Sequence, residues 1–168
     1  MAEPSQPGGP PPVFAVVVNY NGWADTLASL DSLTASDYPD VRVLVMDNAS
    51  TDDSPARLAG RADAGVVEAD ALIDRSWPAG RRVLVVQCSR NLGFAGANNV
   101  PLRYIARRHA NAIALLLNTD AVIETRALRR MVATLLSSPD AAAVGATVLR
   151  HDRRDTVDML AGARVRRR

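Results

Sequence analysis

Four clusters in this 168-residue chain carry residue types that could do chemistry together. They are Asn19-Tyr20-Asn21-Gly22, the run from Asp47 through Asn48 to Asp52, the stretch Asn91-Leu92-Gly93-Phe94-Ala95-Gly96-Ala97-Asn98-Asn99, and Asn118-Thr119-Asp120. A tyrosine such as Tyr20 offers a flat apolar face to a purine or pyrimidine. A carboxylate such as Asp47 accepts from a base imide or amine. Asp120 beside Asn118 is a hard-oxygen donor set for a divalent cation. Gly93 and Gly96 let a backbone approach a ligand closely. The 20 basic residues are all arginine, so mechanisms that need a lysine are excluded: P-loop phosphate binding, Schiff-base chemistry and phospho-receiver signalling. Counter-charge for a diphosphate would have to come from a cation, arginine or helix N-terminal amides. One cysteine and two histidines exclude an internal disulfide and argue against a thiolate–imidazole zinc site.

These clusters need elements to hold them. Val13–Asn19 is a continuous apolar run rich in β-branched residues, as expected of a strand buried on both faces. Residues 23–35 form an amphipathic helical pattern through Leu27, Leu30 and Leu33. Val41–Asp47 reads as a second strand. Residues 52–61 read as a short helix with Ser50, Thr51 or Asp52 as its cap and Pro55 in its first turn. Residues 62–81 read as a surface insertion, with a short strand at 66–67 or a helical turn. Strands follow at 82–87, 112–118 and 142–149, with helices at 97–109 and 125–137, the last capped by Thr125. Strand and helix alternate, so the expected fold is α/β with a mostly parallel sheet flanked by helices. Each cluster then closes a strand. In open α/β sheets, ligands bind outside the carboxyl ends of strands. Asn, Asp and Gly are also ordinary turn formers, but four successive strand ends of this kind predict a polar binding cleft.

Residues 1–12 form a Pro/Gly-rich leader without the features of a signal peptide. That predicts disorder and a cytoplasmic location. The net charge of +2 is uneven: residues 150–168 hold seven arginines against Asp152, Asp155 and Asp158, which leaves the remainder near −2. The basic character therefore lies in the tail. It predicts no nucleic-acid partner and leaves open a peripheral contact with an acidic membrane surface. Cys88 reads as a small core residue, His109 as a helix-end cation or surface residue, and Trp23 as packing at a helix start.

The segments V-V-V-N-Y-N-G, V-L-V-M-D-N-A-S-T-D-D-S, N-L-G-F-A-G-A-N-N and L-L-L-N-T-D-A-V-I, in this order over residues 13–149, resemble the family 2 inverting glycosyltransferases of GT-A fold. The resemblance is to their rhamnosyltransferase-like and galactofuranosyltransferase-like branch. It implies a GT-A-like, Rossmann-type sheet over residues 13–150 that binds a dTDP- or UDP-linked sugar for transfer, with inversion, to a glycan or lipid-linked acceptor. It implies that Asn19, Tyr20 and Asn21 meet the nucleotide, with Tyr20 near the base. Asp47 would bind the base edge, and Asn48 would shape the following turn. Asn91, Gly93, Asn98 and Asn99 would close over the nucleotide sugar. Asn118-Thr119-Asp120 stands where the family has its D-x-D motif, so Asp120 would meet Mg²⁺ or Mn²⁺ and Asn118 would be a weaker contact.

An inverting transfer also needs a general base for the acceptor hydroxyl. In the resembling family that acid lies well downstream, whereas only 48 residues follow Asp120 here. Asp152, Asp155 and Asp158 sit among Arg150, Arg153 and Arg154 and read as solvated ion pairs. Residues 151–168 are thus an arginine-rich tail or the start of an acceptor half lying beyond this chain, and the expectation is a donor-binding part. Its alternative is a catalytically incomplete homologue that binds nucleotide or self-associates. A dinucleotide-dependent oxidoreductase would need G-x-G-x-x-G after the first strand. A nucleotidyltransferase would want a basic glycine-rich loop there. The chain has Asn-Tyr-Asn-Gly instead.

Overall fold

The computed structural model describes residues 9–153 and 155–160. The first eight residues of the leader and the Arg164–Arg168 run lie outside that description. Two compact units are present.

The larger unit, residues 1–35 and 39–123, is built on a parallel sheet. Its strands are β1 (Val13–Asn19), β2 (Val41–Asp47), β3 (Ala64–Glu68), β4 (Val83–Gln87) and β5 (Ile113–Leu117), in spatial order β3-β4-β2-β1-β5. Its helices are α1 (Trp23–Thr34), α2 (Ser54–Ala59) and α3 (Gly93–Arg108), with a 3-10 segment at Ala69–Asp74. The central strands are nearly continuous apolar runs, broken by Arg42 and by the polar ends Asn19 and Asp47, because both faces are covered. Helices α1 and α2 pack on one face, while α3 and the 3-10 segment pack on the other. On the α3 side, Phe14, Val16, Leu44, Met46, Val86, Tyr104 and Ile105 form one buried cluster. Each fully buried large apolar side chain there contributes roughly 1.5–3 kcal/mol.

Residues 62–81 depart from expectation. They supply an integral edge strand, β3, paired in parallel with β4 from Ala64↔Val83 to Glu68↔Gln87. Val67 and the 3-10 residue Leu72 enter the core. The strand ends are tied by Arg61, which bonds Asp63 at 2.9 Å and reaches Asp31 of α1 at 2.6 Å. The hydrogen bond from Arg61 holds the Asp63 carboxyl below its ordinary range. Helix α2 also starts later than predicted. Asp53 is its cap residue and makes no side-chain cap bond, although Asp52 accepts from Ser54 N at 2.9 Å. Helix α3 starts one turn earlier than its apolar period predicts. His109 is buried rather than exposed: its ring lies 4.5 Å from the Phe14 ring, with the Tyr104 hydroxyl 3.4 Å from its Nε2. Cys88 is buried, as expected, and Trp23 packs under the Arg57 guanidinium at 4.9 Å.

The second unit comprises residues 36–38 and 124–168. It contains α4 (Ala127–Leu136), β6 (Thr147–Leu149) and β7 (Val157–Leu160). Arg126, not Thr125, stands at the α4 cap; the Thr125 carbonyl instead accepts from Asp37 N at 3.0 Å. Arg129 bonds the Asp37 carboxylate at 3.0 Å. The fifth strand predicted at 142–149 shrinks to β6, which pairs antiparallel with β7 and takes no part in the parallel sheet. Asp152 pairs with Arg150 at 3.0 Å, the ion pair expected of that stretch.

Candidate functional site

The chain leaves β1 through α1 towards β2 on one side, and it reaches β5 on the other side of β1 through α3. Adjacent strands whose connections diverge in this way open a crevice at their carboxyl ends. Asn19 through Gly22 stand on one side of that crevice, and Asn118 through Asp120 on the other. The strand register also brings Asn19, Asp47, Gln87 and Glu68 into one transverse row at the same sheet edge.

Asn19 and Asp47 are register partners and are almost fully buried, at 0% and 2% exposure. Asn19 Nδ2 donates to Asp47 Oδ1 at 2.8 Å and to Ser50 Oγ at 3.0 Å. Its Oδ1 accepts from the Thr26 hydroxyl of α1 at 2.8 Å. The Asp47 side chain sets the sense of this amide, because a flipped amide would turn its oxygen on a carboxylate oxygen. The backbone of Ser50 also points at Asp47 Oδ2, at 3.4 Å. Asn21 closes the same loops from above. Its backbone N donates to Ser50 Oγ at 3.0 Å, and its Oδ1 accepts from Thr51 N at 2.7 Å and Asp52 N at 3.4 Å.

Asn48 carries the tie to the next strand. Its Nδ2 donates to Asn91 Oδ1 at 3.0 Å, and its Oδ1 accepts from Leu92 N at 2.8 Å. Gly93 N returns a bond to Asn91 Oδ1 at 2.8 Å. Gly93 has φ +68, the left-handed region that glycine enters without the strain a Cβ brings. Among the described residues, two that are not glycine also adopt the left-handed region, Asn21 at φ 54 and Ala49 at φ 62. Hydrogen bonds from Ser54 hold the Asp52 carboxyl below its ordinary range, and burial, reinforced by Asp47, raises the Cys88 thiol.

The structure thus joins Asn19, Asn21 and Asp47 through Ser50, and joins Asn48 to Asn91 and Gly93. It leaves other expected residues outside that network. Tyr20 projects with 52% of its surface exposed, so its ring is available to a ligand. Asn98 is buried and donates to the Phe94 carbonyl at 2.9 Å, bracing the first turn of α3, whereas Asn99 is exposed. Asn118 and Asp120 are exposed, and Asp120 makes no hydrogen bond or ion pair among the described residues. Sequence reasoning missed Thr26 and Ser50 as members of the network. The signal available for Thr26 was a polar side chain on the buried stripe of an amphipathic helix. Phe94, 64% exposed between glycines, is a second aromatic at this edge that went unassigned.

No three His, Cys, Asp or Glu side chains among the described residues converge to hold a cation by themselves. A single carboxylate beside an amide nevertheless suits Mg²⁺ or Mn²⁺ shared with phosphate oxygens, because such ions commonly take one or two protein carboxylates plus substrate phosphates. The donor set at Asn118 and Asp120 therefore fits a metal that arrives with its ligand.

Comparison with solved structures places this architecture. A mannosyltransferase from Pyrobaculum calidifontis, in complex with GDP-Man and Mn²⁺, superposes with a TM-score of 0.61 at 24% identity, over 89% of this chain and 38% of that one. S. aureus TarS 1–349 in complex with UDP matches with a TM-score of 0.53 at 22% identity, over 75% of this chain and 32% of that one. The complex of TarS 1–349 with UDP-GlcNAc gives 0.52 at 20% identity, over 75% and 31%. The fold is therefore the GT-A type, a mostly parallel sheet flanked by helices. The chain spans less than two-fifths of the length of these structures. No curated protein matches it significantly. The sequence profile of Glycosyl transferase family 2 matches residues 14–160, nearly the whole described chain, and the chain belongs to that family.

Proposed function

We propose that this chain is the donor-binding part, over residues 13–150, of an inverting glycosyltransferase of the rhamnosyltransferase-like branch. In this reading it takes a nucleoside-diphosphate sugar, dTDP- or UDP-linked, for transfer to a glycan or lipid-linked acceptor at the cytoplasmic side. The observation that carries the reading is the convergence of four polar strand ends around one topological switch point in a family 2 chain. Tyr20 stacks on the base. Asp47, held by Asn19 and Ser50, offers acceptor capacity to the base edge. Asn48 and Asn91 fix the loop ahead of α3, whose first turn, with Gly93, Asn98 and Asn99, faces the sugar side. Asp120, helped by Asn118, holds the divalent metal. A metal held there would supply positive charge to offset that of the leaving diphosphate.

In the transfer, the acceptor oxygen bonds to the anomeric carbon as the bond to the diphosphate breaks, and a general base takes the acceptor proton. A second reading has the chain bind nucleotide without catalysing transfer. The engagement of Asp152 by Arg150 and Arg153 favours it, because that carboxylate is already paired.

Calorimetric titration of the chain with UDP, dTDP and GDP, each with Mn²⁺ and with chelator, tests the proposal. The expected result is binding of one uracil or thymine nucleotide, tightened at least several-fold by Mn²⁺. A folded chain that binds none of the three overturns it. A donor-turnover assay on the same preparation separates the two readings.

A further inference from the structure

Ser50 occupies a position whose hydrogen-bond arithmetic leaves one group over. Its Oγ accepts from Asn19 Nδ2 and from Asn21 N, both at 3.0 Å. A serine hydroxyl has two acceptor lone pairs and one proton to donate. Both lone pairs are taken by N–H groups that cannot reverse their role: one is a backbone amide, and the other is fixed as nitrogen by its 2.8 Å bond to the Asp47 carboxylate. The hydroxyl can therefore act only as a donor. The hydroxyl donates its proton to no acceptor among the described residues, and the side chain is only half-buried. Accepting two N–H bonds also polarises the O–H and makes it a stronger donor.

We infer that Ser50 is a binding residue of the nucleotide site, a donor-only hydroxyl that gives its proton to an acceptor oxygen of the ligand. This rests on the nucleotide-binding reading above. The group stands between the end of β1 and Asp47, so the oxygen belongs to the nucleoside: a base carbonyl or a ribose hydroxyl. Either would fit beside a carboxylate that accepts from the base edge, because a donor next to an acceptor matches a nucleobase edge that alternates the two.

The test is UDP binding, measured by calorimetry in the presence of Mn²⁺, for the full chain and for Ser50→Ala, Ser50→Thr and Thr26→Val. The last variant removes the far end of the same network and leaves the Ser50 proton in place. Ser50→Ala is expected to weaken UDP about 5- to 20-fold, and Ser50→Thr, which keeps the hydroxyl, to stay within about 2-fold of the wild type. Thr26→Val is expected to lower the melting temperature more than it lowers affinity. The source of the oxygen follows from analogues. If it is the ribose, 2′-deoxy-UDP or 3′-deoxy-UDP loses affinity for the wild type and not for Ser50→Ala. If it is the base, 2-thio- or 4-thio-UDP does so.

Wild-type affinity in Ser50→Ala overturns the inference and leaves the nucleotide reading standing. So does an equal loss in Thr26→Val and Ser50→Ala with no analogue singled out, since Ser50 would then only brace the loops. A folded wild-type chain that binds none of UDP, dTDP and GDP overturns the nucleotide reading itself, and this inference with it.

Discussion

The two sides of the crevice are built differently. At the ends of β1, β2 and β4, side chains and backbone of Asn19, Asn21, Asp47, Asn48, Ser50 and Asn91 hold one another at 2.8–3.4 Å. At the end of β5, Asn118 and Asp120 stand in solvent, and among the described residues the one bond there is Ala121 N to the Asn118 carbonyl at 3.3 Å. Preorganisation reduces the ordering cost of binding, so the first side is finished before a ligand arrives. The second side presents a bare carboxylate, which in the proposed reading a cation and the phosphates that come with it would complete. The side at β1, β2 and β4 is thus part of the fold's stability, while the side at β5 is nearly independent of it.

That contrast can be broken by substitution. The largest effect is expected at Asn19, which is fully buried and satisfies three partners at once. Asn19→Ala leaves the Asp47 carboxylate and the Thr26 hydroxyl without that amide. The predicted loss of stability is about 2–4 kcal/mol in urea unfolding, with nucleotide affinity falling in parallel. A stability change below about 0.5 kcal/mol would mean that the network is ornamental and that the two sides do not differ. Asp120→Ala should show the opposite signature. The melting temperature is expected to stay within about 1 °C, because an exposed, unpaired carboxylate contributes little to stability. The Mn²⁺-dependent gain in UDP affinity should vanish, with chelator-insensitive binding retained. Loss of all binding, with or without metal, would place Asp120 on the nucleoside side and erase the distinction.

The two sides were also unequally legible in the sequence. The strand-end clusters announced the crevice because β1, β2 and β4 are apolar runs whose boundaries are marked by Asn, Asp and Gly. The partners within the network were not legible, since the Thr26–Asn19 and Ser50–Asn19 bonds depend on how α1 and the β2 turn dock in three dimensions. The edge strand β3 was hard to see for a related reason. Its five residues, A-G-V-V-E, carry weak β propensity, and their pairing with β4 is what makes them a strand. The run at 142–149 misled in the opposite direction: its alanines and Gly145 supply hydrophobicity without β-branching, and only Thr147–Leu149 pairs. His109 reads as a surface cation from its arginine neighbours. Phe14, ninety-five positions earlier and at the start of β1, is what buries it.

The smallest predicted effect tests how the finished side is held in shape. Ala49 adopts φ 62 in the turn that carries Asn48 and Ser50 to their partners. A residue with a Cβ in the left-handed region is disfavoured by roughly 1–2 kcal/mol, and the turn persists because its neighbours are fixed on both sides. Glycine at this position relieves the strain but gives the unfolded chain more freedom to lose, an opposing term of about 0.5–1 kcal/mol. Ala49→Gly is therefore expected to raise stability only slightly, by about 0.5 kcal/mol, and to leave UDP affinity within about 2-fold. If the network alone holds the turn, the gain should vanish in the Asn19→Ala background, where the turn is free to relax. If glycine there instead lowers affinity several-fold without lowering stability, the strained alanine is itself what keeps the Ser50 hydroxyl aimed, and preorganisation of this side resides in the backbone as much as in the side-chain bonds.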